Sequence, residues 1–207
     1  MIKRILHYGE DALRKESQPI KEITDAIREL VKDMFETMYK NNGVGLAGPQ
    51  VGENINLFII DTGNGQKLVF INPQIIKASG KEVMDEGCLS FPGMHEKVER
   101  ALRVTAHSIG LDGEPYEIKA EGLLARAIQH ELDHLSGILL VDRISKARRF
   151  QMKHELARIA AGESLDEDIV EDNVEDDVKE NDKINDKIND KGDDIAEAQK
   201  GETGVKG

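Results

Sequence analysis

Two histidines four residues apart lie on a predicted helix that is apolar over most of its remaining surface, and this feature constrains the fold more than any other. The helix runs from about Gly122 to Ser136 and contains Gln129-His130-Glu131-Leu132-Asp133-His134. Four residues advance a helix by about 400°, so both imidazoles point the same way. An apolar stripe occupies the opposite side: Leu124, Ile128, Leu132 and Leu135. We therefore expect a largely buried, central helix.

Two imidazoles on one helix face can share a metal ion. Glu131 lies beside them and can hold and deprotonate a water molecule next to that ion, which is the arrangement of zinc-dependent hydrolases. The alternative is a surface helix with two solvated histidines. It fits badly, because the other face of the helix is also apolar.

The motif requires a third protein ligand. Six residues after His134, where some metallopeptidases have a further histidine, this chain has Leu140. Glu155 follows His134 by 21 residues, a spacing that glutamate-ligand metallopeptidases approximate, but its neighbours lack the acidic partner of those sites. The remaining candidate is Cys88, the one cysteine. A thiolate and two imidazoles leave one tetrahedral position open, as a catalytic site requires.

Residues 43–52 contain four glycines and one alanine. The pattern argues against a phosphate cradle, because no Lys-Ser/Thr pair follows and the segment leads into a strand. Small residues at Gly43, Gly45 and Ala47 would instead let a peptide-like substrate approach the backbone, with Gln50 projecting an amide donor. The plain alternative is a tight turn.

The remaining pattern predicts a mixture of helices and strands. Amphipathic spacing predicts helices over about Thr24–Asn42 and Ser145–Ala161. Runs rich in branched residues predict the strands Asn56–Asp61, Lys67–Asn72, Gln74–Ala78 and the hairpin Arg103–Ile109 with Tyr116–Ala120. Because strands and helices do not alternate strictly, the pattern favours an α+β fold.

The chain has 207 residues and a net charge of −12, and almost all of that excess lies at one end. Residues 1–162 carry 22 basic and 23 acidic side chains, whereas residues 163–207 carry 6 and 17. We expect one globular domain at 1–162 and a disordered acidic tail at 163–207, since the tail has too little apolar surface to fold.

Several classes of protein are excluded or disfavoured. A single cysteine precludes an internal disulfide, and no apolar run approaches the roughly 18 residues of a membrane span. The N-terminus lacks the apolar core of a secretory signal, so we expect a cytoplasmic protein. A near-neutral domain also gives no footprint for bulk nucleic-acid binding. We therefore expect neither a membrane nor DNA as partner.

Three segments together resemble the peptide deformylase family, which is recognised by GφGφAAxQ, EGCφS and HExDH, where φ is apolar. This sequence has GVGLAGPQ at 43–50, EGCLS at 86–90 and QHELDH at 129–134. The resemblance extends over about residues 3–160. It implies small antiparallel or mixed sheets packed around the HExxH helix. The implied activity is hydrolysis of the N-formyl group from the N-terminal formyl-methionine of new polypeptides, releasing formate.

The resemblance also implies roles for individual residues. Cys88, His130 and His134 would hold one divalent ion, iron(II) in the family, with zinc or nickel as common replacements. Glu131 would act as general base and acid. The Gln50 amide and the Leu89 N–H would form the oxyanion hole. The Gly45 carbonyl would accept a hydrogen bond from the substrate N–H. The methionine side chain would lie in a pocket formed by Val44, Leu123, Ala127 and the His130 ring.

Two positions depart from the family pattern. Gly48 stands where a second alanine is usual, and we expect it only to loosen the unfolded loop or to fit an unusual backbone angle. His95 stands where many members have an arginine that contacts the substrate. Arg100 is expected to hold Glu86 or Asp133 and so to orient the ligands.

A ribosome is a further expected partner beside the nascent formyl-methionyl polypeptides. Residues 143–162 carry six basic side chains against Glu155 alone, and in some family members this final helix docks on the ribosome. We expect the basic helix to contact ribosomal RNA and the acidic tail to compete for it. Two alternatives stay open: an endopeptidase that uses Glu155, and a ribosome-associated, metal-stabilised binding module that needs no Glu131.

Overall fold

The computed structural model describes residues 1–165. Four helices and seven strands lie in this range: α1 Asp25–Lys40, β1 Gly45–Ala47, β2 Leu57–Ile60, β3 Leu68–Ser79, β4 Glu82–Cys88, β5 Phe91–Arg100, β6 Arg103–Ile109, β7 Pro115–Glu121, α2 Gly122–Leu135, α3 Lys146–Gln151 and α4 Lys153–Ala160. Short 3-10 turns occupy Asp11–Arg14, Gly48–Val51 and Leu140–Asp142.

The strands form two antiparallel sheets. One has five strands in the order β1-β2-β3-β6-β7, and the other is the β4–β5 hairpin. Helix α2 directly follows β7 and packs against strands of the larger sheet. Its buried residues Ala125, Ala127 and Ile128 share a core cluster with Phe58 and Phe70. The expected α+β fold around a buried central helix is thus confirmed.

Helix α1 covers a second part of the core. Thr24 caps it, its side chain accepting a hydrogen bond from the backbone N–H of Ile27. Met34 and Met38 are fully buried and pack with Leu46 and Leu57 of β1 and β2. Helix α1 therefore holds the glycine-rich segment, residues 43–52, in place through its contact with Leu46.

Two strand predictions merge into one. The runs 67–72 and 74–78 are parts of the single strand β3, which passes through Asn72 and Pro73 at a shift in its pairing with β6. Asn72 has a positive φ of 49°, and its side-chain amide exchanges two hydrogen bonds with the backbone of Ile20. The irregular pairing there accommodates the proline, which lacks an N–H to donate.

The predicted helix over 145–161 is wrong in one respect, since it is interrupted at Met152. There the backbone leaves helical geometry, with φ −87° and ψ 13°. Met152, Leu156 and Ile159 are buried against a third core cluster, which Leu165 also joins. From residue 166 onward, the expected acidic tail lies outside the described residues. Within residues 1–165, no helix is both long and apolar enough to cross a membrane.

Candidate metal centre

Helix α2 presents two histidines to the same point. His130 and His134 lie one turn apart, with ring centroids 5.1 Å from each other and ring planes inclined by 70°. His134 is 1% exposed, and this burial holds its pKa well below the usual range, which favours the neutral, ligating imidazole. The helix therefore places two imidazoles side by side, where they could hold a metal ion.

The β4–β5 hairpin brings Cys88 to these histidines. Cys88 ends β4, and its Sγ lies 3.3 Å from Nε2 of His134. One ligand atom each from Cys88, His130 and His134 lies within 4.8 Å of the others. Among the described residues, these three side chains are the group of His, Cys, Asp and Glu that lies close enough together to share one metal ion. The donor set fits a divalent ion that accepts thiolate and imidazole.

Glu131 lies beside this group as a buried carboxyl group. It is 4% exposed, and its Oε2 has no hydrogen-bond partner among the described residues. Burial raises the pKa of Glu131 to about 7. A carboxyl group that lacks a partner and titrates near neutral pH is suited to taking up and returning a proton.

The glycine-rich segment packs against this carboxylate. A Cβ atom at Gly45 would lie 2.3 Å from Oε1 of Glu131. Gly43 has a different neighbour, since its Cβ would lie 2.8 Å from Cδ1 of Leu89. The sequence predicted small residues here for substrate approach, whereas in the structure Gly45 makes room for Glu131.

Gln50 is held with its amide N–H groups toward the thiol. Its Oε1 accepts a hydrogen bond from the backbone N–H of Ala47 at 2.8 Å. Its Nε2 donates to the Ser90 hydroxyl at 3.2 Å and lies 3.6 Å from Sγ of Cys88. The amide is 2% exposed, so its orientation is fixed before any substrate arrives. Leu89 follows Cys88 in the hairpin turn.

A buried ionic network lies behind the ligands. Oε2 of Glu86 is 3.0 Å from Nδ1 of His130, so a proton on Nδ1 can be shared with Glu86, which leaves Nε2 available as a ligand atom. Arg100 donates to both oxygens of Glu86, at 2.7 and 2.9 Å, and to Asp133 at 2.7 Å. Burial opposes ionisation of Glu86, but the hydrogen bonds with His130 and Arg100 outweigh it and lower its pKa to about 2.

Arg100 therefore contacts both carboxylates that the sequence offered as alternatives. Two further arginines were missed. Arg126 donates to Oε1 of Glu86 at 2.6 Å, and Arg143 donates to Asp133 at 2.8 Å. One sequence feature could have revealed Arg126, which is a single charged residue inside an otherwise apolar stretch of α2.

The other predicted site residues are distributed around this centre. Leu123 and Ala127 share the helix face of the two histidines. Leu123 is 46% exposed, and Val44, which directly precedes β1, is 43% exposed. His95 pairs with Gly87 across the hairpin, and its Nε2 would lie 2.8 Å from a Cβ atom there. Glu155 lies in α4, outside the metal-site group.

A steric contact that the sequence did not reveal explains why glycine stands at position 48. Its φ is not in the positive region, so no unusual backbone angle is involved. Instead, a Cβ atom at Gly48 would lie 2.7 Å from the carbonyl oxygen of Glu53 and 3.1 Å from that of Ile55. The backbone of Glu53 and Ile55 therefore packs so closely against Gly48 that a side chain at this position would clash with it.

The chain is similar to known deformylases along most of the described range. The family model described as polypeptide deformylase matches residues 2–150. A peptide deformylase of Clostridium botulinum is 51% identical over 145 residues, which are 70% of this chain and 98% of the relative. One of Halothermothrix orenii is 48% identical over 144 residues, which are 69% and 94%. The crystal structure of a Legionella pneumophila peptide deformylase aligns with a TM-score of 0.73 and 39% identity, over 76% of this chain and 95% of that one.

Proposed function

Because the chain belongs to the polypeptide deformylase family, we propose that its Cys88, His130 and His134 hold one divalent ion and that Glu131 carries the proton of the reaction. The chain is a metal-dependent hydrolase that removes the N-formyl group from nascent polypeptides. One observation supports the residue roles most strongly: a thiol and two imidazoles meet within 4.8 Å beside a buried carboxyl group without a partner.

When bound, the ion supplies a Lewis acid that polarises the formyl oxygen and lowers the pKa of water. Glu131 takes a proton from the attacking water as the new C–O bond forms at the formyl carbon. The C–N bond then breaks, and Glu131 returns that proton to the leaving amine. The products are formate and a free N-terminus.

The negative charge that develops on the formyl oxygen needs hydrogen-bond donors. Nε2 of Gln50 is positioned by the Ala47 N–H and lies 3.6 Å from the Cys88 thiol, so it can donate to an oxygen beside the ion. We assign the Leu89 N–H as the second donor. Removing one such donor costs about 10²–10³ in kcat in other hydrolases.

The methionine side chain of the substrate needs an apolar surface. Leu123 and Val44 are large apolar side chains left about half exposed, and Ala127 lies one turn along the helix from Leu123. We propose that these three residues and the His130 ring form the methionine pocket. The Gly45 carbonyl would accept the substrate N–H, and the exposed His95 would contact the peptide beyond the methionine. Replacing His95 with Ala should raise the KM of a formyl-Met tripeptide but not that of formyl-Met amide.

The ion itself is proposed as iron(II), with zinc or nickel as replacements. A thiolate with two imidazoles suits all three ions, so the ligand types alone do not choose among them. The identity is tested by metal analysis of protein purified without oxygen. More zinc than iron in that preparation would overturn the assignment of iron.

The activity is tested by formate release from a formyl-Met peptide. The purified chain should release formate, lose this activity in a chelator and regain it when a divalent ion is added back. A chain that cleaves internal peptide bonds but releases no formate would instead be the endopeptidase. Metal binding without any hydrolysis would favour the binding module.

We also propose a cytoplasmic location and a contact with the ribosome, where nascent formyl-methionyl chains emerge. Several arginines of the basic segment already pair with carboxylates, Arg148 with Glu96 and Arg149 with Asp142 among them. Those side chains remain 50% and 44% exposed, and Phe150 is 71% exposed beside them.

Ribosome binding tests this contact. Reversing the charges of Lys146 and Lys153 should weaken co-sedimentation with ribosomes, whereas reversing those of Lys81 and Lys119 should not. Deleting residues 166–207, which leaves the buried Leu165 in place, should strengthen binding if the acidic tail competes for the basic segment. Unchanged binding after the deletion would contradict the competition.

A further inference from the structure

Arg126 is a buried arginine one helical turn before His130. It is 4% exposed, and it lies between Ala125 and Ala127 in α2. Burying a guanidinium is costly unless its donors are matched to acceptors. The position of this residue therefore calls for a reason beyond helix formation.

One guanidinium group reaches both strands of the hairpin that ends in Cys88. Nη1 of Arg126 donates to Oε1 of Glu86 at 2.6 Å and to the backbone carbonyl of Val98 at 3.0 Å. Nη2 donates to the backbone carbonyl of Glu82, also at 3.0 Å. Glu82 and Glu86 belong to β4 and Val98 to β5. Arg126 thus connects the helix that bears the two histidines to the hairpin that bears the cysteine.

Arg100 does not duplicate this connection. It lies on β5, so its pair with Glu86 stays within the hairpin, and its contact with α2 is at Asp133, near the C-terminal end of the helix. Arg126 instead holds backbone carbonyls on both strands from the N-terminal half of the helix. Arginine side chains thereby attach the hairpin to α2 at two separate points.

The contact with Glu86 leads directly to the ligands. Glu86 precedes Cys88 by two residues, and its other oxygen lies 3.0 Å from Nδ1 of His130. A shift of Glu86 would turn the His130 ring and move the thiol relative to the imidazoles.

We propose that Arg126 is a positioning residue, which sets the distance between Cys88 and the two histidines by holding the hairpin on α2. The inference rests on the proposed ligand set. It assigns Arg126 no contact with substrate.

The test uses cobalt(II) as the probe, added to the metal-free full-length chain and to its Arg126→Met variant. The variant should bind cobalt about 10–100-fold more weakly in competition with a chelator, which is the usual effect of losing a group that orients metal ligands. Its thiolate-to-cobalt absorption bands should shift. With saturating metal, kcat should fall while KM changes little.

Arg103→Met is the matched control. Arg103 is 57% exposed and pairs with Glu121 across β6 and β7, away from the ligands. Its removal should leave cobalt affinity and the spectrum unchanged.

A purely structural role gives a different result. If Arg126→Met lowers the unfolding temperature but binds cobalt within twofold of the parent, with the same spectrum, the proposal is wrong. Should that variant fail to fold, Arg126→Lys carries the test. It keeps the charge but lacks the planar fork whose two nitrogens donate to separate acceptors, so unchanged cobalt affinity there would also overturn the proposal. The cobalt readout is independent of formate release, so a failure of the proposed function is seen separately.

Discussion

The carboxylate of Glu131 lies against the backbone of Gly45, so closely that a Cβ atom at residue 45 would be 2.3 Å from Oε1. No real Cβ contact is that short, so any side chain at residue 45 must displace Glu131. Strand β1 holds Gly45 in place by pairing with Ile60. The carboxyl group to which we assign the proton transfer is thus positioned partly by the absence of a side chain at residue 45.

Gly45→Ala should therefore lower kcat for formate release by about 100-fold, because displacing a catalytic group by about 1 Å costs that much. Metal content should stay at the parent level, since the three atoms nearest to the new Cβ all belong to Glu131. Steady-state kinetics with metal analysis checks both statements.

Gly43→Ala is the control for this prediction. Its new Cβ would lie 2.8 Å from Cδ1 of Leu89 and 3.2 Å from Cγ of Met38, and none of the three atoms nearest to it belongs to Glu131. Equal losses of kcat in the two variants would mean that any alanine in this segment lowers activity and that the contact with Glu131 is not the cause.

Cys88 and Glu155 distinguish the two enzymes considered for the HExxH motif. Cys88→Ser should lose the bound ion and formate release, because serine is a poor substitute for a thiolate ligand. Glu155→Ala should retain both. Metal analysis of the two purified variants is the measurement, and the opposite pattern would identify the endopeptidase.

Gly48→Ala should destabilise the fold by about 1–3 kcal/mol, the usual effect of overpacking. The new Cβ would lie 2.7 Å from the Glu53 carbonyl oxygen, a backbone atom that cannot rotate away. Denaturant unfolding measures the change. An unfolding free energy equal to that of the parent would show that the turn relaxes freely and that alanine is tolerated here.

Arg100→Ala should lower the free energy of unfolding by about 1.5–3 kcal/mol, because two buried carboxylates lose charged hydrogen bonds although Arg126 and Arg143 stay paired with them. Glu86 and Asp133 both lose a hydrogen bond of 2.7 Å. Arg103→Ala removes an exposed pair three residues further along and should cost about 0.2–1 kcal/mol. Similar losses in both variants would contradict a special role of the buried network.

Much of the fold could be predicted because the relevant signals are local. The predicted helix over 122–136 is observed at Gly122–Leu135, and the hairpin over 103–120 is observed as β6 and β7. Helix spacing alone places the two histidines on one face. Cys88 could be predicted because two histidines need a third protein ligand to hold a metal ion.

Strand β5 was missed for a physical reason. Its buried positions include Glu96 and Arg100, which break the apolar alternation that reveals a strand. Both charged residues are tolerated because each forms an ion pair that offsets the cost of its burial. Glu96 pairs with Arg148, and Arg100 pairs with Glu86. Long-range pairs of this kind leave no periodic trace in a sequence, and the same holds for the contacts of Arg126.

The role of Glu131 is tested most directly by formate release from a formyl-Met peptide, comparing the parent with Glu131→Gln at equal metal content. The glutamine has nearly the same size and cannot carry the proton, so kcat should fall by about 10²–10⁴-fold while the ion stays bound. Glu155→Gln, measured alongside, should match the parent. A metal-loaded Glu131→Gln variant that releases formate at the parent rate would show that the proton passes through another group.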